Sequence, residues 1–126
     1  MHAARLLLLA HGSRDPAWRE PFERLRSRLA ETLGEDRVGL AYLEMAGPSL
    51  DDELDRAAGD GVRRVRVLPL FLAAGAHVRR DVPERVAAFR ARHPDTEVEV
   101  LPHVGEDERM VGQMEMLARE AAGGTA

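Results

Sequence analysis

Arg5-Leu6-Leu7-Leu8-Leu9-Ala10-His11-Gly12-Ser13-Arg14-Asp15-Pro16 is the stretch whose reading decides the fold. Its first half is a short, unbroken apolar run. Such a run, ended by polar and turn-forming residues, reads as a strand buried on both faces, the kind found in parallel sheets. In the second half the chain turns, and Asp15-Pro16 opens a helix. Strand, turn and helix make one half of a βαβ unit.

The rest of the chain repeats that alternation. Phe22, Leu25, Leu29 and Leu33 recur at near-helical spacing, and Gly34 stops the helix. Pro21 either marks its first turn or kinks it. Residues 38–43 read as a second strand. Gly47-Pro48-Ser49 starts a second helix, with Leu50, Leu54 and Ala57 or Ala58 inward and Gly59 or Gly61 at its end. Residues 65–70 alternate apolar side chains with Arg66 and form a third strand. Residues 71–78 read as a loop containing Gly75. A third helix is expected over 82–92, with Pro83 in its first turn and His93-Pro94 ending it. A short fourth strand follows at 98–101, then a helix over 106–122 with Met110, Met114 and Leu117 inward. This order calls for a parallel sheet with right-handed crossovers and helices on both faces. The expected fold is α/β: a flavodoxin-like, four-stranded parallel sheet of order 2-1-3-4 flanked by helices.

The 126 residues are expected to make one domain, 1–126, with a small, Gly-rich frayed tail at 121–126. With 44% hydrophobic and 32% charged residues, the composition is that of a soluble globular protein. Absence of cysteine excludes disulfides and thiolate metal sites, so any metal must rest on imidazole and carboxylate. A net charge of -4 argues against a nucleic-acid partner. The apolar run at 6–10 is far too short to span a membrane and no cleavage site follows it, so the cytoplasm is the expected location. All 18 basic residues are Arg: no lysine is present to form a Schiff base, and the cations suit bidentate capture of carboxylates. No Gly-rich phosphate loop of recognised spacing occurs, which argues against a nucleotide-binding module.

Ligands of open parallel sheets bind beyond the carboxyl ends of the strands. His11-Gly12-Ser13-Arg14 follows the first strand, Glu44 the second, and a loop carrying His77 the third. In the order 2-1-3-4 these three strands are neighbours. Two imidazoles and a carboxylate suit a borderline divalent metal such as cobalt, iron, nickel or zinc. Taken singly, His11 and His77 also suit turn or capping roles, and Glu44 a solvated surface carboxylate; joint placement at one edge is what selects them. Gly12 and Gly75 let backbone approach a bulky ligand. Ser13 can donate a hydrogen bond, and Arg14 and Arg79, with Arg80, can hold carboxylates at the cleft mouth. His2 lies at a terminus, His93 reads as a helix-end cap, and His103 follows the fourth strand at the sheet margin.

Three blocks carry a resemblance: Leu9-Ala10-His11-Gly12-Ser13-Arg14-Asp15-Pro16; Tyr42-Leu43-Glu44 with Pro48-Ser49-Leu50; and Leu68-Pro69-Leu70-Phe71 through His77-Val78 to Asp81-Val82-Pro83. Together they resemble the CbiX family of sirohydrochlorin chelatases, over most of the chain and least after about Leu101. The resemblance implies a flavodoxin-like chelatase fold. It implies that His11 and His77 bind the incoming divalent metal, with Glu44 at the same site. The metal is then a substrate (cobalt, with iron or nickel as alternatives) and no organic cofactor is expected. Larger chelatases of this kind carry two such domains facing one cleft, so the short form implies a homodimer. The expected reaction is insertion of cobalt into sirohydrochlorin for cobalamin; the alternatives are ferrous iron insertion for sirohaem and a non-catalytic metal or tetrapyrrole carrier.

Overall fold

The computed structural model describes residues 4–123. Four strands, β1 (Arg5–Ala10), β2 (Val38–Tyr42), β3 (Arg64–Pro69) and β4 (Glu97–Val100), alternate with four helices, α1 (Pro16–Leu33), α2 (Leu50–Gly59), α3 (Ala76–Arg92) and α4 (Glu108–Ala121). All strand pairs are parallel and the order is β2-β1-β3-β4. The expected sheet is therefore present. β1 pairs along its length with β2 on one side and β3 on the other, and Leu7 to Ala10 are at most 2% exposed. Its unbroken apolar run follows from that double burial.

The helix ends are specified locally. Asp15 accepts a hydrogen bond from the Ala17 backbone N–H, and Pro16 stands at the first helical position. Gly34 closes α1 at φ 102°, a left-handed conformation that favours glycine. Ser49 and Asp52 form a reciprocal capping box at the start of α2. At α4, Asp107 caps the Arg109 N–H while the Arg109 guanidinium grips both carboxylate oxygens; these bonds lower the Asp107 pKa to about 2.

The two sheet faces are filled unequally. Leu7, Leu9, Val65 and Val67 point toward α2 and α3, where they join Leu54, Val86 and Phe89 in the main core. On the α1 side a smaller cluster of Leu8, Ala30 and Val38 is buried, and Leu6, Leu40, Leu68 and Leu70 are partly covered. Arg66 and Glu99 make an exposed ion pair of 3.1 Å between β3 and β4. The Tyr42 hydroxyl is buried without a partner; burial, then the nearby Glu23 carboxylate, raises its pKa.

Several expected boundaries move. Strands β2, β3 and β4 each end one residue earlier than expected, and β3 and β4 also begin one residue earlier. Helix α1 runs through Pro21, and α3 begins at Ala76 and runs through Pro83. The residues read as the end of a loop are thus the first turn of α3. Val78, Val82, Val86 and Phe89 make one apolar stripe that packs on the core, and tertiary burial outweighs the hydrogen bond that Pro83 cannot donate. At α4 the expectation fails in packing: Met114 is 38% exposed and Leu117 64%, and the helix buries no residue. Helical spacing marks an apolar face without saying what covers it. Of the expected tail, Ala121 closes α4, Ala122 and Gly123 form a turn, and 124–126 lie outside the described residues, as does His2.

Leu54 is fully enclosed in the main core. Leu54→Ala should lower unfolding free energy by roughly 2–5 kcal/mol, measured by urea denaturation. A loss under about 1 kcal/mol would mean that the α2 side is not the principal core.

Candidate functional site

The register of the sheet brings the loops after β1, β2 and β3 together. Ala10 stands opposite Tyr42 and Leu9 opposite Pro69, so His11 and Glu44 leave adjacent strands at similar height. His11 Nδ1 lies 3.1 Å from Glu44 Oε1. An ionised carboxylate only accepts, so Nδ1 carries a proton in this pair, and in the neutral imidazole Nε2 keeps the lone pair. The imidazole is held on a second side by Phe71, whose buried ring lies 4.5 Å away, centroid to centroid, at 33°. Both members of the pair stay open to solvent, with side chains 42% and 44% exposed.

Gly12 explains how the two loops come so close. A Cβ built on it would lie 1.7 Å from the Glu44 carbonyl oxygen, so only glycine fits. Its close approach is to Glu44 backbone. Gly75 has nothing within 4 Å of its Cβ position and serves as the N-cap of α3.

His77 sits in the first turn of α3. A cavity of about 250 Å³ is lined by His11, Leu43, Glu44, His77, Val78, Asp81 and Arg85. Both imidazoles and the carboxylate expected from the sequence therefore share one cavity. Among the described residues, no three His, Cys, Asp or Glu side chains form a ready metal cage. Asp81 and Arg85 form an ion pair of 3.2 Å in this wall. Sequence reasoning did not select them. The usable signal was spacing: once residue 77 is helical, Asp81 is its i+4 neighbour on the same face.

The remaining candidates are dispersed. Ser13 Oγ accepts from the Asp15 N–H in the loop after β1. Arg14, Arg79 and Arg80 are exposed and make no ion pair among the described residues. His93 caps α3 and lies 3.3 Å from Asp55. His103, 20% exposed, faces Glu106 and lines a separate apolar cavity of about 630 Å³ with Leu68, Leu101 and Met110. A cavity of about 650 Å³ beside β3 and β4 is lined by Arg64, Arg66, Glu97 and Glu99, paired with one another, and holds no imidazole.

The model of the CbiX family matches residues 5–121. The chain belongs to the CbiX family. Sirohydrochlorin cobaltochelatase of Methanopyrus kandleri is 33% identical over 79 residues, covering 63% of this chain and 55% of that protein. Sirohydrochlorin ferrochelatase of Priestia megaterium is 28% identical over 106 residues, covering 84% of this chain and 40% of that one. This CbiX chain thus spans about half the length of the first curated relatives it matches. A solved CbiX protein from Marinobacter aquaeolei VT8 is 38% identical, with a TM-score of 0.82 over 95% of this chain and 98% of that one. Among the described residues no helix is long and apolar enough to cross a membrane.

The glycine geometry gives a direct test. Gly12→Ala should lower the melting temperature by several degrees, since backbone must shift to admit the Cβ. Gly75→Ala should leave it nearly unchanged. Equal melting temperatures for the two variants would show that the Glu44 loop is not seated on Gly12.

Proposed function

We propose that this chain is a sirohydrochlorin chelatase that inserts a divalent metal, cobalt, into sirohydrochlorin for cobalamin synthesis in the cytoplasm. The observation that carries this reading is the His11–Glu44 pair sharing one cavity with His77 at the carboxyl edge of the sheet. Insertion exchanges the two pyrrole N–H protons of the macrocycle for one divalent ion, releasing two protons. His11 and His77 offer neutral nitrogen to the incoming ion and hold it without enclosing it, which suits a metal that must be passed on. With Nδ1 committed to Glu44, His11 presents Nε2 to the metal, and Glu44 fixes the orientation of the ring. Glu44 is solvated enough to receive a pyrrole proton and pass it to water. Arg14 and Arg79, exposed and without an ion pair among the described residues, can bind the carboxylates of the substrate, with Ser13 and Gly75 in the loops after β1 and β3. Ferrous iron is the alternative metal, because it accepts the same ligands and a ferrochelatase is among the relatives.

His11→Ala and His77→Ala should each abolish most cobalt insertion above the spontaneous rate while circular dichroism stays that of the parent. Glu44→Gln should still bind cobalt, with affinity lowered by roughly 10–100-fold. Its insertion should slow and recover in part as pH rises and water takes the proton. Near-normal insertion in both histidine variants would remove the site. Wild-type protein giving no rate above spontaneous metallation would make it a carrier, and parallel rates with anaerobic ferrous iron would choose the metal.

We infer further that the working unit is a homodimer in which a second copy supplies the facing wall of the cleft. Support comes from α4, which exposes Val111, Met114, Met116 and Leu117, and from the thinly covered α1 side of the sheet. A symmetric pair would set two copies of each histidine toward one substrate. Light scattering should give a species near twice the 13.9 kDa chain mass, and Met114→Glu with Leu117→Glu should halve it. An active monomer would refute the dimer.

A further inference from the structure

Nine large apolar side chains are exposed among the described residues, and they fall into groups. Leu25 lies on α1, Val100 on β4, and four more on α4. The other three are Trp18, 49% exposed, Met45, 61%, and Leu72, 59%. Each of these follows the carboxyl end of a different strand, β1, β2 and β3 in turn. Each is also one step from the His11–Glu44 pair. The Trp18 indole N–H donates to the His11 carbonyl at 2.9 Å. Met45 directly follows Glu44. Leu72 directly follows Phe71, the ring against His11.

These residues are not carried on loose loops. Gly12 packs against the Glu44 carbonyl, with no room for a Cβ. Leu72 is held in the same way: a Cβ on Gly105 would lie 1.7 Å from the Leu72 carbonyl oxygen, and the Gly105 N–H donates to the Phe71 carbonyl. Met45 is the one non-glycine residue with positive φ among the described residues, at 62°. That conformation is unfavourable for a residue with a side chain. It persists where the surrounding structure over-determines it, as sites do. Three solvent-facing apolar side chains, joined to an open imidazole–carboxylate pair by chain adjacency or by a hydrogen bond, call for an apolar ligand surface with a polar or metal-binding centre. Neither a bare ion nor a small polar metabolite has one.

We propose that Trp18, Met45 and Leu72 form an apolar seat for one face of a planar tetrapyrrole ring, holding it over His11 and His77. The proposal rests on the chelatase reading above and deepens it. The indole, tethered at its polar edge, offers a flat surface for stacking. Met45 and Leu72 cover the rest of the ring; the unbranched methionine adapts to a ring that bends as metal enters. The seat acts on binding, while proton removal and metal delivery stay with the imidazoles and Glu44.

Trp18 is the sole tryptophan, so its emission reports on the seat alone. Metal-free sirohydrochlorin should quench wild-type emission saturably. Met45→Gln and Leu72→Gln, both at exposed positions, should each raise the sirohydrochlorin Kd by roughly ten-fold, read by the absorbance shift of the macrocycle as well as by quenching. KM for sirohydrochlorin should rise in step with little change in kcat, and cobalt binding without macrocycle should match wild type. A purely structural role would weaken cobalt binding as well and would overturn the proposal. If wild type inserts metal, yet both variants bind sirohydrochlorin as it does, the seat is wrong and the chelatase reading stands. If wild type neither binds the macrocycle nor inserts metal, both fall together.

Discussion

Parallel pairing of β1 on both edges is the constraint on which the rest of the structure depends. A strand with β2 on one side and β3 on the other, and with Leu7 to Ala10 closed off from water, has no freedom to slip. Its carboxyl end is therefore a fixed point. His11 emerges there, Glu44 leaves the neighbouring strand beside it, and Phe71 arrives from the other neighbour. A slip of one residue would send Leu7 and Leu9 to the thinly covered face and separate His11 from its carboxylate. The same pairing that buries the core thus sets the imidazole.

Close backbone packing turns this common edge into a rigid site. Gly12 lies against Glu44 and Gly105 against Leu72, each with no space for a side chain. Backbone contacts of this kind cannot relax by changing a rotamer, and they hold Met45 in a left-handed conformation that would otherwise relax. The His11–Glu44 pair remains half open to water while its loops are locked. That combination suits a reaction in which metal, protons and a large substrate all enter and leave.

The unequal faces of the sheet have a matching logic. On the α2 and α3 side, small and medium aliphatic residues interlock around Phe89 and supply most of the core. On the other side Ala30 is the one residue of α1 that is buried, and Met110 of α4 lines a cavity together with Leu68 of β3. Stability comes chiefly from one face, and the other keeps apolar surface available for association.

The element order, the central place of β1, the sheet order 2-1-3-4 and the cluster His11, Glu44 and His77 were all legible in the sequence. Each depends on local pattern or on a topological rule: unbroken apolar runs mark strands buried on both faces, parallel crossovers share one hand, and ligands meet at the carboxyl ends of strands. Helix spacing at Val78, Val82, Val86 and Phe89 was also present, but Pro83 outweighed it in a local reading, since only burial against the core makes the lost hydrogen bond tolerable. Asp81 stayed hidden for the same reason. The roles of Gly12 and Gly105 and the exposure of Met114 and Leu117 belong to the tertiary structure alone. Periodicity shows which residues share a face, but a contact between segments distant in sequence exists only once the chain has folded and set one backbone against another.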